Sequence, residues 1–238
     1  MTSSEIKLLI VDDEKDVCLS IVNYFSVLGY KTEACFSGQE ALERLSEERF
    51  DLVVTDVCMP QFDGIELLKA IREQHHNLPK VYVISGYAQQ PIADIYNFGA
   101  DGFFRKPFDS RSMLDAVRKA TMSLQDQWKR APSAEPHNEL IFLGKLADSQ
   151  IKFARGGFSA LTSPGEWRVG DPIRFSIEVT DAEFLDICGT GIVRWKELNN
   201  EKTMLCSGIE ITYIEEQFRL AFIQWLQKNS GIPFIPKL

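Results

Sequence analysis

Short apolar runs that end on polar side chains constrain this chain more than any other feature. Leu8-Leu9-Ile10-Val11 ends at Asp12-Asp13, and Leu52-Val53-Val54 leads through Thr55 to Asp56. Val81-Tyr82-Val83-Ile84 ends at Ser85, and Phe103-Phe104 is followed by Arg105 and Lys106. Apolar runs without polar alternation mark strands buried on both faces, the condition of a parallel sheet whose crossover helices cover it. The stretches between the runs have helical periodicity. Val17, Ile21, Phe25 and Leu28 share one face of a helix over about 15–28, which Gly29 ends. A short edge strand follows at 31–34. Ser37, with Glu40 three residues on, opens a helix to about residue 48. Further helices are predicted over 65–74, 91–98 and from a cap at Ser110 to about Leu124, with strands at 81–84 and 102–105. In an alternating sheet of this kind the carboxyl ends of the strands form the ligand edge. Asp12, Asp13, Asp56, Ser85 and Lys106 are therefore expected at one place.

Three carboxylates side by side repel one another unless a cation joins them. Mg²⁺ suits the set, because it prefers oxygen ligands and phosphate partners. Asp12, Asp13, Asp56 and the backbone carbonyl of Cys58 are its expected ligands. Asp56 is the expected phosphoacceptor, forming an acyl phosphate. Lys106 places a compact positive charge beside it. The Ser85 hydroxyl is placed to donate to a phosphate oxygen, and Gly86 allows backbone N–H groups to come close.

These motifs resemble a receiver (CheY-like) domain of the two-component response-regulator family. The matching segments are Val11-Asp12-Asp13-Glu14, Asp56-Val57-Cys58-Met59-Pro60 with Asp63-Gly64, Ile84-Ser85-Gly86, Gly99-Ala100-Asp101-Gly102 and Lys106-Pro107-Phe108. The resemblance covers residues 1–124 and implies a flavodoxin-like fold with a five-stranded parallel sheet. It also implies Mg²⁺ dependence, phosphorylation of Asp56 by a sensor histidine kinase or phosphotransfer protein, and a signalling switch rather than an enzyme. A cis peptide bond at Lys106-Pro107 is implied too. Ser85 and Phe103 are the expected switch pair. Tyr87 and Cys58, two residues past Ser85 and Asp56, orient an attacking water poorly, so a long-lived phosphoryl group is expected.

Residues 125–139, with Pro132, Ser133 and Pro136, read as a linker. Ahead of and into it, Met113, Val117, Ala120, Leu124 and Trp128 keep a spacing of four, three, four and four. That spacing fits either a short coiled-coil stalk or an ordinary packed helix that frays. Residues 140–238 read differently. Strands are expected at 140–147, 151–154, 158–162, 173–179, 185–195 and 203–211, then a helix over 215–228 with Phe218, Phe222, Trp225 and Leu226 on one stripe. Six strands in about 100 residues suggest a small antiparallel β-barrel. Trp167 and Trp195 are candidates for either its core or a protein-binding face.

This half resembles a PilZ domain through Gly157, Trp167-Arg168-Val169-Gly170-Asp171, Gly191-Ile192-Val193-Arg194-Trp195 and Gly208-Ile209-Glu210-Ile211. Such domains commonly bind cyclic di-GMP through RxxxR and D/NxSxxG motifs. Here Arg130 is followed four residues later by Ala134, and Lys152-Phe153-Ala154-Arg155-Gly156-Gly157 keeps only the last Gly. Cyclic di-GMP binding is therefore not expected. Lys152 and Arg155 are the side chains left that could meet a phosphate.

The net charge of -8 divides unevenly: 13 basic and 19 acidic residues in 1–123, 13 and 15 in 124–238. Neither half has the basic excess that DNA backbones demand. The five cysteines form no CxxC pair and read as reduced thiols of a cytoplasmic protein. No apolar stretch is long enough to span a bilayer. The expected output is a phosphorylation-dependent change in contacts with an unidentified downstream protein or in a homodimer. A cyclic di-GMP effector under phosphorylation control is the alternative, and a DNA-binding regulator the third reading.

Overall fold

The computed structural model describes residues 5–75, 77–86, 91–145, 148, 150–162, 167–179, 186–198, 204–229 and 231–238. They fall into two compact units, one of Met1–Pro91 with Phe98–Thr121, the other of Ile92–Asn97 with Met122–Leu238.

The first unit is a flavodoxin-like sheet of β1 (Lys7–Val11), β2 (Lys31–Cys35), β3 (Leu52–Asp56), β4 (Lys80–Ser85) and β5 (Gly102–Arg105). Their order is β2-β1-β3-β4-β5, and the neighbouring strands all pair in parallel. Helices α1 (Lys15–Val27), α2 (Gly38–Glu47), α3 (Gly64–Gln74) and α5 (Ser110–Ala120) connect or follow the strands. Leu8, Ile10, Leu52 and Val54 pack with Cys18, Ile21 and Phe25 of α1 and Met113, Leu114 and Val117 of α5. The alternate residues Leu9, Val53 and Val81 are equally buried, so both faces of the sheet are covered, as the unbroken apolar runs require.

Local chemistry sets the helix starts. The Ser37 hydroxyl accepts the Glu40 N–H at 3.2 Å. Asp63 accepts from Ile65 and Glu66, while the Glu66 carboxylate accepts the Asp63 N–H at 2.9 Å, a full capping box. The cap of α5 is Asp109 rather than Ser110: its carboxylate accepts the Ser112 N–H at 2.9 Å. A carboxylate here also meets the positive end of the helix dipole, which favours the acid over the hydroxyl next to it.

The second unit holds α4 (Ile92–Asn97), α6 (Leu124–Gln127) and a six-stranded sheet closed by α7 (Glu216–Asn229). The strands are β6 (Asn138–Gly144), β7 (Ile151–Ala154), β8 (Gly157–Thr162), β9 (Pro172–Val179), β10 (Ile187–Leu198) and β11 (Leu205–Ile214). Their order is β6-β9-β10-β11-β8-β7. The expectation of a purely antiparallel barrel fails at one pair: β6 runs parallel to β9. Leu140, Phe153, Phe158, Phe175, Val193 and Ile211 place all six strands around one core, with Phe222 and Leu226 of α7 in it. The sheet thus curls around a shared interior. Trp167 and Trp195 are 6% and 2% exposed, which makes them buried residues and not an open binding face.

The spacing from Met113 to Trp128 does not continue as one helix. α5 ends at Ala120, Ser123 caps the separate turn α6, and Trp128 is 1% exposed. Its indole N–H donates to the Ile211 carbonyl at 3.0 Å, and its ring lies 5.7 Å from Phe222. Part of the segment expected as linker is therefore anchored in the second unit's core. Apolar burial of so large a ring outweighs the continuity of a short helical repeat.

Candidate functional site

The carboxyl ends of β1, β3, β4 and β5 bring Asp12, Asp56, Ser85 and Lys106 together, because parallel neighbours in register end at one edge. Asp12 and Asp56 are 1% and 4% exposed, and Ser85 is 2% exposed. The Lys106 ammonium sits 2.6 Å from Asp56 Oδ1 and 3.0 Å from Asp12 Oδ2. It bridges two carboxylates that would otherwise repel. The other oxygens are also held: Asp12 Oδ1 accepts the Glu14 N–H at 2.9 Å and Asp56 Oδ2 the Cys58 N–H at 2.6 Å. The Lys106 N–H donates to the Ser85 carbonyl at 2.8 Å, which fixes the base of the lysine beside the serine. The peptide bonds before Pro79 and Pro107 are cis.

Burial pushes the Asp12 carboxyl above its ordinary range and the nearby Asp56 charge adds to this, although Lys106 and the Glu14 N–H oppose it. Burial works against the Lys106 ammonium, but its hydrogen bonds to Asp56 and Asp12 outweigh that and hold it above the usual lysine value. The Cys58 thiol is raised by burial and then by Asp56, so it is a poor nucleophile here.

Asp13 is exposed, unlike its two acidic neighbours. Among the described residues no group of three or more His, Cys, Asp or Glu side chains is arranged to hold a metal ion as it stands. Mg²⁺ asks for less, since it keeps several waters and uses one or two carboxylates with a phosphate. Buried, like-charged Asp12 and Asp56, both hard oxygen donors, fit that requirement.

Phe103 is half-buried and registers with Val83, two residues before Ser85. The neighbouring Phe104 is the ring that packs inward, 5.7 Å from Tyr82 and 6.2 Å from Phe108. Tyr87 lies outside the described residues, so the expectation placed on it has no structural counterpart. Two residues given no role in the sequence reading, Gly64 and Thr55, shape the site. A Cβ on Gly64 would fall 1.9 Å from the Asp56 carbonyl oxygen, so only glycine permits α3 to start there. Thr55 donates its hydroxyl to that same carbonyl at 3.0 Å. The Asp63-Gly64 pair after the Asp56 loop was the available signal. Beneath the site, Arg72 and Asp101 form a buried pair at 2.8 Å. Arg72 also donates to the carbonyls of Gly99 and Pro79, and Asp101 accepts the Val81 N–H.

The weaker candidates of the second unit are engaged by its own chain. Lys152 donates to the Lys237 carbonyl at 3.3 Å. Arg155 is 5% exposed, donates to the Ile232 carbonyl at 3.1 Å and stacks over the Phe234 ring at 5.3 Å.

Residues 8–118 match the response regulator receiver domain family. The Response regulator SaeR of Staphylococcus aureus is 34% identical over 107 residues, covering 45% of this chain and 46% of that protein. The chain thus spans about half the length of the curated relatives it matches. The receiver domain of the Francisella response regulator 1452 is 31% identical and has a TM-score of 0.46. The comparison covers 48% of this chain and 95% of that one. Response regulator protein TrrA of Thermotoga maritima, in complex with Mg(2+)-BeF, is 26% identical with a TM-score of 0.44, covering 48% and 98%. The first half of this chain carries a response regulator receiver domain. Among the described residues no helix is long and apolar enough to cross a membrane.

Proposed function

We propose that the chain is a phosphorylation switch of a two-component system, with Asp56 as phosphoacceptor and a PilZ-like barrel as output module. The observation that carries this is the Lys106 ammonium placed against both Asp56 and Asp12, each almost fully buried. A sensor histidine kinase or phosphotransfer protein presents a phosphohistidine. Asp56 Oδ1 attacks the phosphorus in line, the P–N bond breaks, and the imidazole leaves with a proton from solvent. Lys106 then follows the charge from the carboxylate to the phosphoryl oxygens. The Cys58 N–H keeps Asp56 Oδ2 fixed during attack. Asp12, Asp13, Asp56 and the Cys58 carbonyl hold Mg²⁺, which when bound neutralises charge on the phosphoryl oxygens. The Ser85 hydroxyl donates to the phosphoryl group, and Phe103, which registers with Val83 two residues before Ser85, is the second half of the switch.

The site works as a switch and not as a turnover enzyme. The output is a change in the contacts of the second unit with a downstream protein or a second copy. Lys152 and Arg155, held by the carbonyls of Lys237 and Ile232, do not favour a cyclic di-GMP reading. The test is labelling by a small phosphodonor in Mg²⁺. Wild type is expected to take up one phosphoryl group and Asp56→Asn none. Equal labelling of both, or labelling unaffected by chelation of Mg²⁺, refutes the proposal.

A further inference from the structure

Beyond α7, residues 231–238 run on across the second unit and carry a dense set of contacts. The Phe234 carbonyl accepts the Gly156 N–H at 3.0 Å, and the Phe234 N–H donates to the Tyr96 carbonyl at 3.1 Å. The Phe234 ring stacks on Tyr96 at 6.2 Å and fills the space where a Gly156 side chain would be, with an ideal Cβ only 1.9 Å away. Lys237 adds an N–H to Asn97 Oδ1 at 3.0 Å and ion pairs to Asp94 at 3.0 Å and Glu197 at 2.8 Å. Phe234 and Ile235 are 8% and 0% exposed. This segment, in short, clasps α4 on one side and the β7–β8 turn on the other, all within one unit.

What lies under it is poorly suited to permanent cover. Trp195, Gly208, Ser159 and Lys152 form one cross-strand row over β10, β11, β8 and β7. The Trp195 indole lies flat on Gly208. Lys237 reaches from Glu197, two residues past Trp195 on β10, to the β7 end of the row, where its carbonyl accepts from Lys152. Within the row the Trp195 indole N–H and the Ser159 hydroxyl are buried and find no hydrogen-bond partner among the described residues. Leaving such groups dry is unfavourable, and exposure to water or to a partner satisfies them. The strap is fastened by main-chain hydrogen bonds, by the Lys237 ion pairs and by the buried Phe234 and Ile235 side chains, and the two unsatisfied groups beneath it offset part of that fastening.

We infer that residues 231–238 are a releasable strap, which in its closed position holds α4 in the second unit and covers Trp195 and Ser159, and in its open position frees both. Its regulation rests on the phosphorylation switch proposed above. α4 is strung in the chain between β4, which ends at Ser85, and β5, which leads to Lys106, so phosphoryl transfer to Asp56 acts on both strands that carry it. Phosphorylation accordingly favours the open strap.

Hydrogen exchange on the full chain tests this, with Phe234→Ala and the milder Lys237→Glu, which sets a like charge against Asp94 and Glu197. Both variants are expected to speed exchange of the Gly156 amide and of α4 about tenfold, while the Ile211 and Ile214 amides of the core stay protected. Unchanged Gly156 and α4 exchange in both variants overturns the strap. So does loss of core protection in Lys237→Glu, which would make the segment an inseparable part of the fold. In wild type, the phosphate mimic beryllofluoride with Mg²⁺ is expected to produce the same local opening. If Asp56 takes phosphate yet these amides do not respond, the regulation is wrong and the switch stands. If Asp56 takes none, the switch reading fails and the two variants still decide the strap.

Discussion

Replacing Asp12 with Asn should make the receiver more stable while abolishing its response to Mg²⁺. Asp12 is buried, Asp56 lies across the same ammonium, and burial outweighs Lys106 in setting its carboxyl above the ordinary range. A carboxyl raised in the folded state binds its proton more tightly there than in the unfolded chain. Its charge therefore opposes folding at neutral pH, and stability returns as pH falls through the folded pKa. Asparagine keeps the oxygen that accepts the Glu14 N–H and removes the charge, while Lys106 retains Asp56. Removing that charge is therefore expected to raise the melting temperature at neutral pH. For wild type, Mg²⁺ at ten times its dissociation constant adds about 1.4 kcal/mol, or about 3–6 °C. Differential scanning fluorimetry of the full chain, with and without Mg²⁺ at pH 5 and 7.5, reads both effects. The wild-type deficit relative to Asp12→Asn should shrink at the lower pH. A variant that melts below wild type without metal, or that keeps the full Mg²⁺ shift, refutes the electrostatic reasoning.

Asp101→Ala should destabilise the first unit by about 3–5 kcal/mol in urea unfolding, because it strands the Arg72 guanidinium, itself 1% exposed, without its anion. Gly64→Ala should cut labelling of Asp56 sharply, since its methyl group would overlap the Asp56 carbonyl and displace the loop that follows Asp56; labelling equal to wild type would show that the loop yields freely. Trp128→Ala should cost the second unit about 3–5 kcal/mol, through its lost core volume and its lost bond to Ile211, and should leave labelling at Asp56 unchanged. Asp109→Ala should fray α5 at neutral pH but not in acid. Its hydrogen bonds from the Ser112 N–H and hydroxyl hold the carboxyl below its ordinary value, so the cap stabilises above that range and is lost as pH falls through it; amide exchange at Ser112 reads the change.

The first unit was legible in the sequence because its signals are local. A strand buried on both faces has to be apolar throughout, so β1, β3 and β4 announced themselves, and the parallel register then delivered Asp12, Asp56, Ser85 and Lys106 to one edge. Capping was legible where side chain and backbone are three residues apart, as at Ser37 and at Asp63 with Glu66. It misled at α5, where Asp109 and Ser110 are both good caps and the choice depends on which one meets the first free N–H groups. The strands of the second unit were also close to their expected bounds, since alternation and Gly-rich turns are local too. Their partners were not legible: the parallel pairing of β6 with β9 joins residues more than thirty apart and is decided by which faces the core accepts.

The strap shows where local reading stops. Gly231-Ile232-Pro233-Phe234-Ile235-Pro236-Lys237 has neither helical nor strand periodicity, and two prolines bar regular backbone pairing. Such a stretch reads as a tail. Its contacts reach back to Tyr96, Asn97, Gly156 and Glu197, all distant in sequence. A segment with no structure of its own to defend is free to satisfy main-chain groups that other elements leave open, here the Gly156 N–H and the Tyr96 carbonyl. The same property makes it separable: it has no helix or sheet ladder of its own to break, only its contacts with α4, the β7–β8 turn and Glu197. The cluster with the least sequence signal is thus the one with a physical reason to move, whereas the Asp12, Asp56, Ser85 and Lys106 cluster, spelled out residue by residue, is placed by the strands of the sheet themselves.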